Sequence, residues 1–504
     1  MGGFYSLVLR NESSEFAVNK EGERFLDDLQ INNIITLILG DMADESVRKI
    51  FYSPLRDIDN IKYRHDVFRS LSNSEIRNAL TRLSYDVLSL LKTRNDKGYS
   101  YPYIRTAEIL KSLSNVIDDI SMCVDVLKKE KYSSEALEGF YEYLQWLKKE
   151  EEFRALVDRT AHIKSILSRI RFCMLIQEST IRIFKCEESG GLKEFIAEAF
   201  DKDSPREIHG KPKFRNNELG DYMRNVILEL VSGLYPDEFR DLRDFINDST
   251  SFPTIEITRF AVEFQFYLSY LILMDSVRSR GLHFCFPVVN PEVTSFSMEG
   301  FYSLWLERKS PAPITPNDLH LEAHEHIAFI IGPNSSGKTT LATAIGQIAY
   351  LASLGVPVPA KQASLPLFTK IRTIFPVAED VEEMIGRLEE ELSRMNEILT
   401  EADEKTLIVL NEFMGSTNEN DALNLYKEII PIIKSKGSYC ISVTFLNSLE
   451  ELPDIKVYSA LIPADDPTAR THVFTAGPLS VKNYALELAR HYRIIYEDNG
   501  RGDD

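Results

Sequence analysis

Gly332-Pro333-Asn334-Ser335-Ser336-Gly337-Lys338-Thr339-Thr340 follows the apolar run His326-Ile327-Ala328-Phe329-Ile330-Ile331 and precedes the helical pattern Leu341-Ala342-Thr343-Ala344-Ile345-Gly346. Strand, glycine-bounded turn and helix in that order are the context of the phosphate-binding loop G-x-x-x-x-G-K-[ST], and every fixed position is matched. Gly332 and Gly337 let the backbone turn tightly with no Cβ between it and a ligand. The inward-facing N–H groups of the loop form a nest for anions, and the helix beginning after Gly337 adds its positive end. Lys338 is expected to reach the β- and γ-phosphates of a nucleoside triphosphate. Thr339 is expected to offer its hydroxyl oxygen to Mg²⁺, a hard cation that takes oxygen ligands.

Binding alone does not hydrolyse the triphosphate; a second strand should bring acids to the metal and the attacking water. Thr406-Leu407-Ile408-Val409-Leu410 has the apolar, β-branched texture of a buried parallel strand and ends in Asn411-Glu412. Glu412 is the one acid at that tip, hence the candidate to orient or activate water. Asn411 stands where an aspartate would usually hold Mg²⁺, and its uncharged amide predicts a weaker metal site.

A chain of 504 residues is long for a single core, so two or three domains are expected. Five cysteines, scattered and without a CxxC pair, read as a reduced protein with no disulfide framework and no zinc site. The N-terminus lacks a charged segment followed by an apolar one, so no signal peptide is expected. The longest apolar stretch, Ala261 to Met274, is interrupted by Glu263 and Gln265 and is short for a bilayer. A cytoplasmic protein with no membrane partner follows. The formal net charge of −19 disfavours strong non-specific nucleic-acid binding, though a local basic face would suffice for DNA.

Residues 25–280 read mainly as helices, with apolar residues three and four apart. Ile76, Leu80, Leu83 and Val87 form one such face; Ile109, Leu113, Val116 and Ile120 form another. Phe153 to Met174 reads as a third helix, whose Arg154, Arg159, Lys164, Arg169 and Arg171 fit a solvated face better than a phosphate-contacting one. Ser179 to Phe184 alternates as a strand does, 201–220 reads as an exposed loop, and Ile255 to Arg280 as a long helix stopped by Gly281. From the loop onward, strands at 371–375, 406–410 and 439–443 alternate with helices at 380–399 and 421–435. The predicted architecture is multidomain: a mainly α-helical region over 1–280, an α/β domain around a mainly parallel sheet over 281–495, and a disordered tail over 496–504.

These motifs resemble the MutS family of DNA mismatch repair ATPases. Pro316-Asn317-Asp318 precedes the loop as that family's P-N-D does, and Gly332-Pro333-Asn334 with Gly337-Lys338 is similar to its G-P-N-x-x-G-K-[ST]-T. Gly355 to Ala360 resembles its G-x-x-V-P-A, Leu367 to Ile371 its I-F-T-R-I, and Asn411-Glu412 its Asp-Glu. Met414 to Ala422 is in register with its G-R-G-T-S-T-x-D-G, and Asn483 to Ala489 resembles its closing S-Y-G-x-x-V-A. Pro54 to Asp59 and Arg64 to Val67 look like the start of its helical lever. The resemblance implies an ABC-like P-loop NTPase domain below a lever, with ATP and Mg²⁺ as cofactors. It also implies a homodimer with composite ATP sites, in which Thr417 and Asn418 of one subunit reach the γ-phosphate held by the other. DNA, mismatched or otherwise structured, is the implied partner.

Three departures qualify this. Asn411 replaces the Walker B aspartate; Thr444-Phe445 stands where the family has Thr-His; and there is no room before the lever for a mismatch-reading domain. Gly3-Phe4-Tyr5 and Gly139-Phe140-Tyr141-Glu142 echo the mismatch wedge Phe-x-Glu but read as ordinary packing residues, and the clamp is short or absent. The expectation is an ATPase that binds nucleotide tightly and turns it over slowly. Two alternatives stay open: a nucleotide-gated protein-interaction switch with little hydrolysis and no direct DNA role, and another ABC-like ATPase of the chromosome-maintenance kind. Only about seventy residues separate the loop from Asn411-Glu412, too few for the long coiled coil of that last class.

Overall fold

The structure, a computed structural model, describes residues 4–10, 23–40, 45–96, 101–177, 180–185, 208–209, 218–290, 295–310, 312–376, 384–415, 417–446, 449, 452, 454–463 and 469–478. They divide into two compact units: Met1–Leu7 with Arg69–Gln265, and Val8–Phe68 with Phe266–Asp504. The segments 483–489, 496–504 and most of 201–220 lie outside the described residues.

The first unit is mainly helical. Helix Ser74–Asn95 opens on Asn73, whose side chain accepts from Glu75 N at 2.9 Å, satisfying an otherwise orphaned donor. Its buried face runs through Ile76, Leu80, Leu83 and Val87. Helix Pro102–Lys129 has Pro at its first position, where no N–H is needed, and buries Ile109, Leu113, Val116 and Ile120. Both expected faces are therefore core faces. Phe140 stacks on Phe260 at 4.0 Å between ring centroids, and Phe4 lies 5.0 Å from Phe140. The two echoes of a mismatch wedge are thus packing residues.

The expected helix over Phe153–Met174 needs correcting. It ends at Ser168, and Phe172–Gln177 (β1) pairs antiparallel with Thr180–Lys185 (β2), which in turn pairs with Ile208–His209 (β3). The run Phe172-Cys173-Met174-Leu175-Ile176 is apolar at every position and fits either period. On that helix Arg159 pairs with Asp248 at 3.1 Å and Lys164 donates to Ser114 Oγ at 2.8 Å, as a solvated, paired face would. Cys173 is disulfide-bonded, so the expectation of thiols throughout is corrected there. Cys123, Cys285 and Cys440 are free.

The second unit is mixed α/β. A four-stranded sheet contains Val288–Val289 (β4), Phe296–Phe301 (β5), Asn317–Leu321 (β6) and Gln362–Leu365 (β8), in the order β4-β8-β5-β6. A six-stranded sheet adds Ile327–Ile331 (β7), Lys370–Ile374 (β9), Thr406–Asn411 (β10), Tyr439–Val443 (β11), Lys456–Ala460 (β12) and Phe474–Ala476 (β13). Its order is β13-β12-β7-β11-β10-β9, parallel except for β13. Strand β10 is buried at every position, which explains its unbroken apolar sequence.

Helix Lys338–Ser353 is buried on nearly every side. Gln347 Nε2 donates to Leu29 O at 3.0 Å, Tyr350 Oη to Phe51 O at 2.8 Å, and Ser353 O accepts from Leu55 N at 2.7 Å. Arg64, fully buried, donates from Nε to Val8 O and from Nη1 to Leu354 O. Residues 8–68, grouped by sequence pattern with the helical region, therefore pack as part of the sheet-bearing unit. The boundary drawn at 280 followed element type; contacts instead divide helix Ile255–Arg278 between Gln265 and Phe266.

That helix has the length and mean hydropathy, 1.2, to cross a membrane. Phe260, Phe264, Tyr267 and Tyr270 are all buried in protein, with Tyr270 Oη donating to Pro357 O at 2.6 Å. It reads as a core helix.

Candidate functional site

The turn between β7 and helix Lys338–Ser353 requires glycine at two points. Gly332 has φ 153°, and a Cβ there would meet Ala460 Cβ at 2.6 Å. Gly337 has φ 99°, and a Cβ would lie 3.3 Å from His472 Nδ1. Ser335, with φ 62°, is also left-handed. Between these points the loop passes beneath a cleft of about 680 Å³.

Asn334, Ser335, Ser336, Gly337, Lys338, Thr339 and Thr340 line that cleft, together with Glu412 and Phe445. Gly332 and Pro333 lie beneath, where their carbonyls accept from Lys338 Nζ at 2.9 and 3.2 Å. Lys338 is 5% exposed, and burial pulls its ammonium below the ordinary lysine range while the nearby Glu412 charge opposes the shift. The Phe445 ring lies over the same ammonium, 4.3 Å from Nζ to centroid. Ser336 Oγ is buried and has no hydrogen-bond partner among the described residues.

Asn411 does not line the cleft but meets it through Thr339, whose Oγ1 donates to Asn411 Oδ1 at 2.9 Å. Glu412 has φ 54° and is fixed by its N–H to Val443 O at 2.9 Å. Thr417 and Asn418 are not brought to this cleft. Asn418 instead caps helix Glu419–Ser435, accepting from Asp421 N at 2.9 Å while its Nδ2 donates to Asp421 Oδ2 at 2.5 Å.

Two walls of the cleft escaped the sequence reading. One is apolar and comes from Phe301, Tyr302, Leu306, Pro313 and Ile314. The other is His472 with Phe474. His472 Nδ1 donates to Ser336 O at 3.1 Å, and Arg470 Nε to Asn334 O at 3.2 Å. Asn317 holds this segment, donating to His472 O at 2.9 Å and accepting from Phe474 N at 2.7 Å. The Pro316-Asn317-Asp318 motif was the available signal: its asparagine is the clip for the second wall.

Fold and cleft together define a mixed α/β domain floored by a strand, glycine loop and helix. Residues 328–486 match the family model MutS domain V, and the chain is MutS-related through this region. The DNA mismatch repair protein MutS of Streptococcus suis is 29% identical over 181 residues, which are 35% of this chain and 21% of that protein. That of Lactobacillus delbrueckii subsp. bulgaricus is 34% identical over 181 residues, with the same shares. Endonuclease MutS2 of Gemmatimonas aurantiaca is 28% identical over 237 residues, 44% of this chain and 28% of that protein. The chain thus spans between 21% and 28% of the length of these relatives.

Proposed function

We propose that this chain is an ATP-binding, DNA-associated ATPase of MutS type, with an ABC-like nucleotide domain and slow turnover. One observation carries the reading: an intact phosphate loop, with Lys338 and Thr339 facing a cleft large enough for a nucleotide. The loop N–H groups, Ser336 Oγ and Lys338 would hold the β- and γ-phosphates. The nucleoside would lie between the apolar wall at Pro313-Ile314 and His472.

The donors for Mg²⁺ fit in kind. Thr339 Oγ1 and Asn411 Oδ1 are oxygens 2.9 Å apart. Among the described residues no group of three or more His, Cys, Asp or Glu could hold a metal alone, so the phosphates must complete the set. Bound there, Mg²⁺ would neutralise charge on the phosphates. Glu412 would accept a proton from water as its oxygen attacks the γ-phosphorus. The bond from that phosphorus to the β,γ-bridging oxygen breaks, and ADP leaves with the electron pair. A neutral Asn411, and Phe445 in place of a polar side chain, argue for a low rate, since losing one such group often slows turnover by about 10²–10³.

We further propose a homodimer in which Thr417 and Asn418 face the partner's nucleotide, which would account for their distance from this chain's own cleft. Mismatched or structured DNA would be the partner, and a cytoplasmic location goes with that reading. The test is nucleotide binding and single-turnover hydrolysis with Lys338→Ala as control, then DNA binding across a salt series. Nucleotide binding that survives Lys338→Ala would sink the site. No DNA binding at low salt, with or without ATP, would sink the DNA role.

A second reading is favoured by Phe445 lying on Lys338: a nucleotide-gated switch whose partner is protein. ATP binding with hydrolysis at background would favour it.

A further inference from the structure

Residues Glu412, Phe413, Met414 and Gly415 leave strand β10 in a turn that the sequence does not favour. Glu412 has φ 54° and Met414 φ 62°, a region that residues with side chains rarely adopt. Gly415 N donates to Glu412 O at 2.9 Å, and a Cβ on Gly415 would lie 2.9 Å from that oxygen. Such conformations persist only where the surroundings over-determine them. The backbone supplies one anchor, Glu412 N to Val443 O. A side chain supplies another: Glu391 Oε2 accepts from Met414 N at 3.0 Å within the protein interior.

Glu391 sits on helix Met384–Glu401, twenty positions before Asn411 in the chain, and is buried. A carboxylate is poorly placed in a core unless its oxygens are bonded. Here one oxygen reaches a backbone N–H that the left-handed turn would otherwise leave without a helix or strand partner. Met395 and Ile398 of the same helix share a core cluster with Phe413 and Met414, so helix and turn are packed as well as bonded.

We infer that Glu391 is a positioning residue for Glu412: it fixes the turn that aims the Glu412 carboxylate into the cleft. This rests on the ATPase reading above. Glu391 does not line the cleft, so its loss should leave binding intact and lower the chemical step, because small misplacements of a catalytic group are costly in rate.

The experiment compares Glu391→Leu, which removes the acceptor, with Glu391→Gln, which keeps one. Hydrogen exchange is followed over 412–415 and over β11 in nucleotide-free protein, alongside nucleotide affinity and single-turnover hydrolysis. In Glu391→Leu the expected result is exchange about tenfold faster at the turn, β11 unchanged, affinity within about twofold, and hydrolysis at least about tenfold slower. Glu391→Gln should restore most of both. Unchanged exchange at the turn overturns the inference. So does faster exchange throughout the sheet or equal loss in Glu391→Gln, either of which makes Glu391 a general fold residue. Faster exchange at the turn with undiminished hydrolysis overturns it too. If wild-type protein hydrolyses nothing above the Lys338→Ala background, the ATPase reading fails, while the exchange result still decides whether Glu391 holds the turn.

Discussion

The ammonium of Lys338 lies 4.3 Å from the centroid of the Phe445 ring and 2.9 Å from the carbonyl oxygen of Gly332. The cation is shared between the loop's own backbone and an aromatic face that is 47% exposed at the cleft. An aromatic ring can hold a cation but cannot pass a proton or polarise water.

Phe445→Ala should therefore release Lys338 with a modest effect. A cation–π contact contributes about 0.5–1 kcal/mol at such a site, so nucleotide affinity should change by no more than about fivefold. Phe445→His should instead raise single-turnover hydrolysis by at least about tenfold with affinity nearly constant, because it adds a polar group beside the reacting phosphate. Parallel titrations and rapid-quench measurements on both variants separate these effects. An inert histidine would mean that position 445 does not limit turnover.

Asn411 gives a second handle. Its Oδ1 already accepts from Thr339 Oγ1, so Asn411→Asp adds a negative charge where Mg²⁺ should sit. The Mg²⁺ concentration for half-maximal nucleotide binding should fall roughly tenfold, or ~1.4 kcal/mol. Without metal the same substitution buries a negative charge and should destabilise by about 1–3 kcal/mol. Thermal unfolding in chelator and in Mg²⁺ with nucleotide should shift in opposite directions. Destabilisation under both conditions would place the metal elsewhere.

Asn418 carries a role of its own, whatever it does for a partner. As the cap of helix Glu419–Ser435 it should cost about 1 kcal/mol when replaced by Ala and close to nothing when replaced by Ser, which keeps an accepting oxygen and sets no second charge beside Asp421. If it also faces a partner's γ-phosphate, Asn418→Ser should keep monomer stability yet weaken nucleotide-dependent dimerisation by removing the amide donor. Denaturant titration and sedimentation with ATP resolve the two. A dimer untouched by Asn418→Ser would leave only the cap.

What could be read from the chain alone follows the range of the interactions. The loop at 332–340, strand β10 and the helix faces at Ile76–Val87 and Ile109–Ile120 were legible because period, glycine placement and side-chain type are local signals. Glu391 carried no such signal: its partner is the N–H of Met414, a choice made only when the helix packs against the turn. The same holds for Leu29, Phe51 and Arg64, whose bonds around helix Lys338–Ser353 join residues hundreds of positions apart. His472 was missed because its segment has no period, although Asn317, which clips it, stood in a recognised motif. The apolar run at Phe172 misled because helix and strand periods coincide there.

The glycines offer a test of the loop geometry. Gly332→Ala must place a Cβ within 2.6 Å of Ala460 at φ 153°, and should destabilise the sheet-bearing unit by several kcal/mol or prevent its folding. Gly139, in helix Glu135–Leu147 with open space about its Cβ position, makes the contrast. Gly139→Ala should stabilise by about 0.5–1 kcal/mol, through helix propensity alone. Urea unfolding of both variants checks the pair, and a tolerated Gly332→Ala would mean the loop is not held as described.

Asp119, buried on helix Pro102–Lys129, predicts a pH dependence outside the cleft. Burial, with the neighbouring carboxylates of Asp86 and Asp118, pushes its carboxyl up to about 7, against the opposing charge of Arg82, whose Nε lies 2.8 Å away. A carboxyl raised in the folded state binds its proton more tightly there than in the unfolded chain. Its contribution is therefore fully present below about pH 4 and is lost as pH rises towards 7, after which it is constant. Asp119→Asn removes the titration while keeping the shape. The variant should match the wild type near pH 4 and exceed it in stability by roughly 2 kcal/mol near pH 7.5, discounted for the exposure of Arg82. Denaturant unfolding of both proteins at several pH values measures the difference. A constant offset across that range would mean that Asp119 does not titrate there, and that its ion pair with Arg82 holds the carboxylate charged throughout.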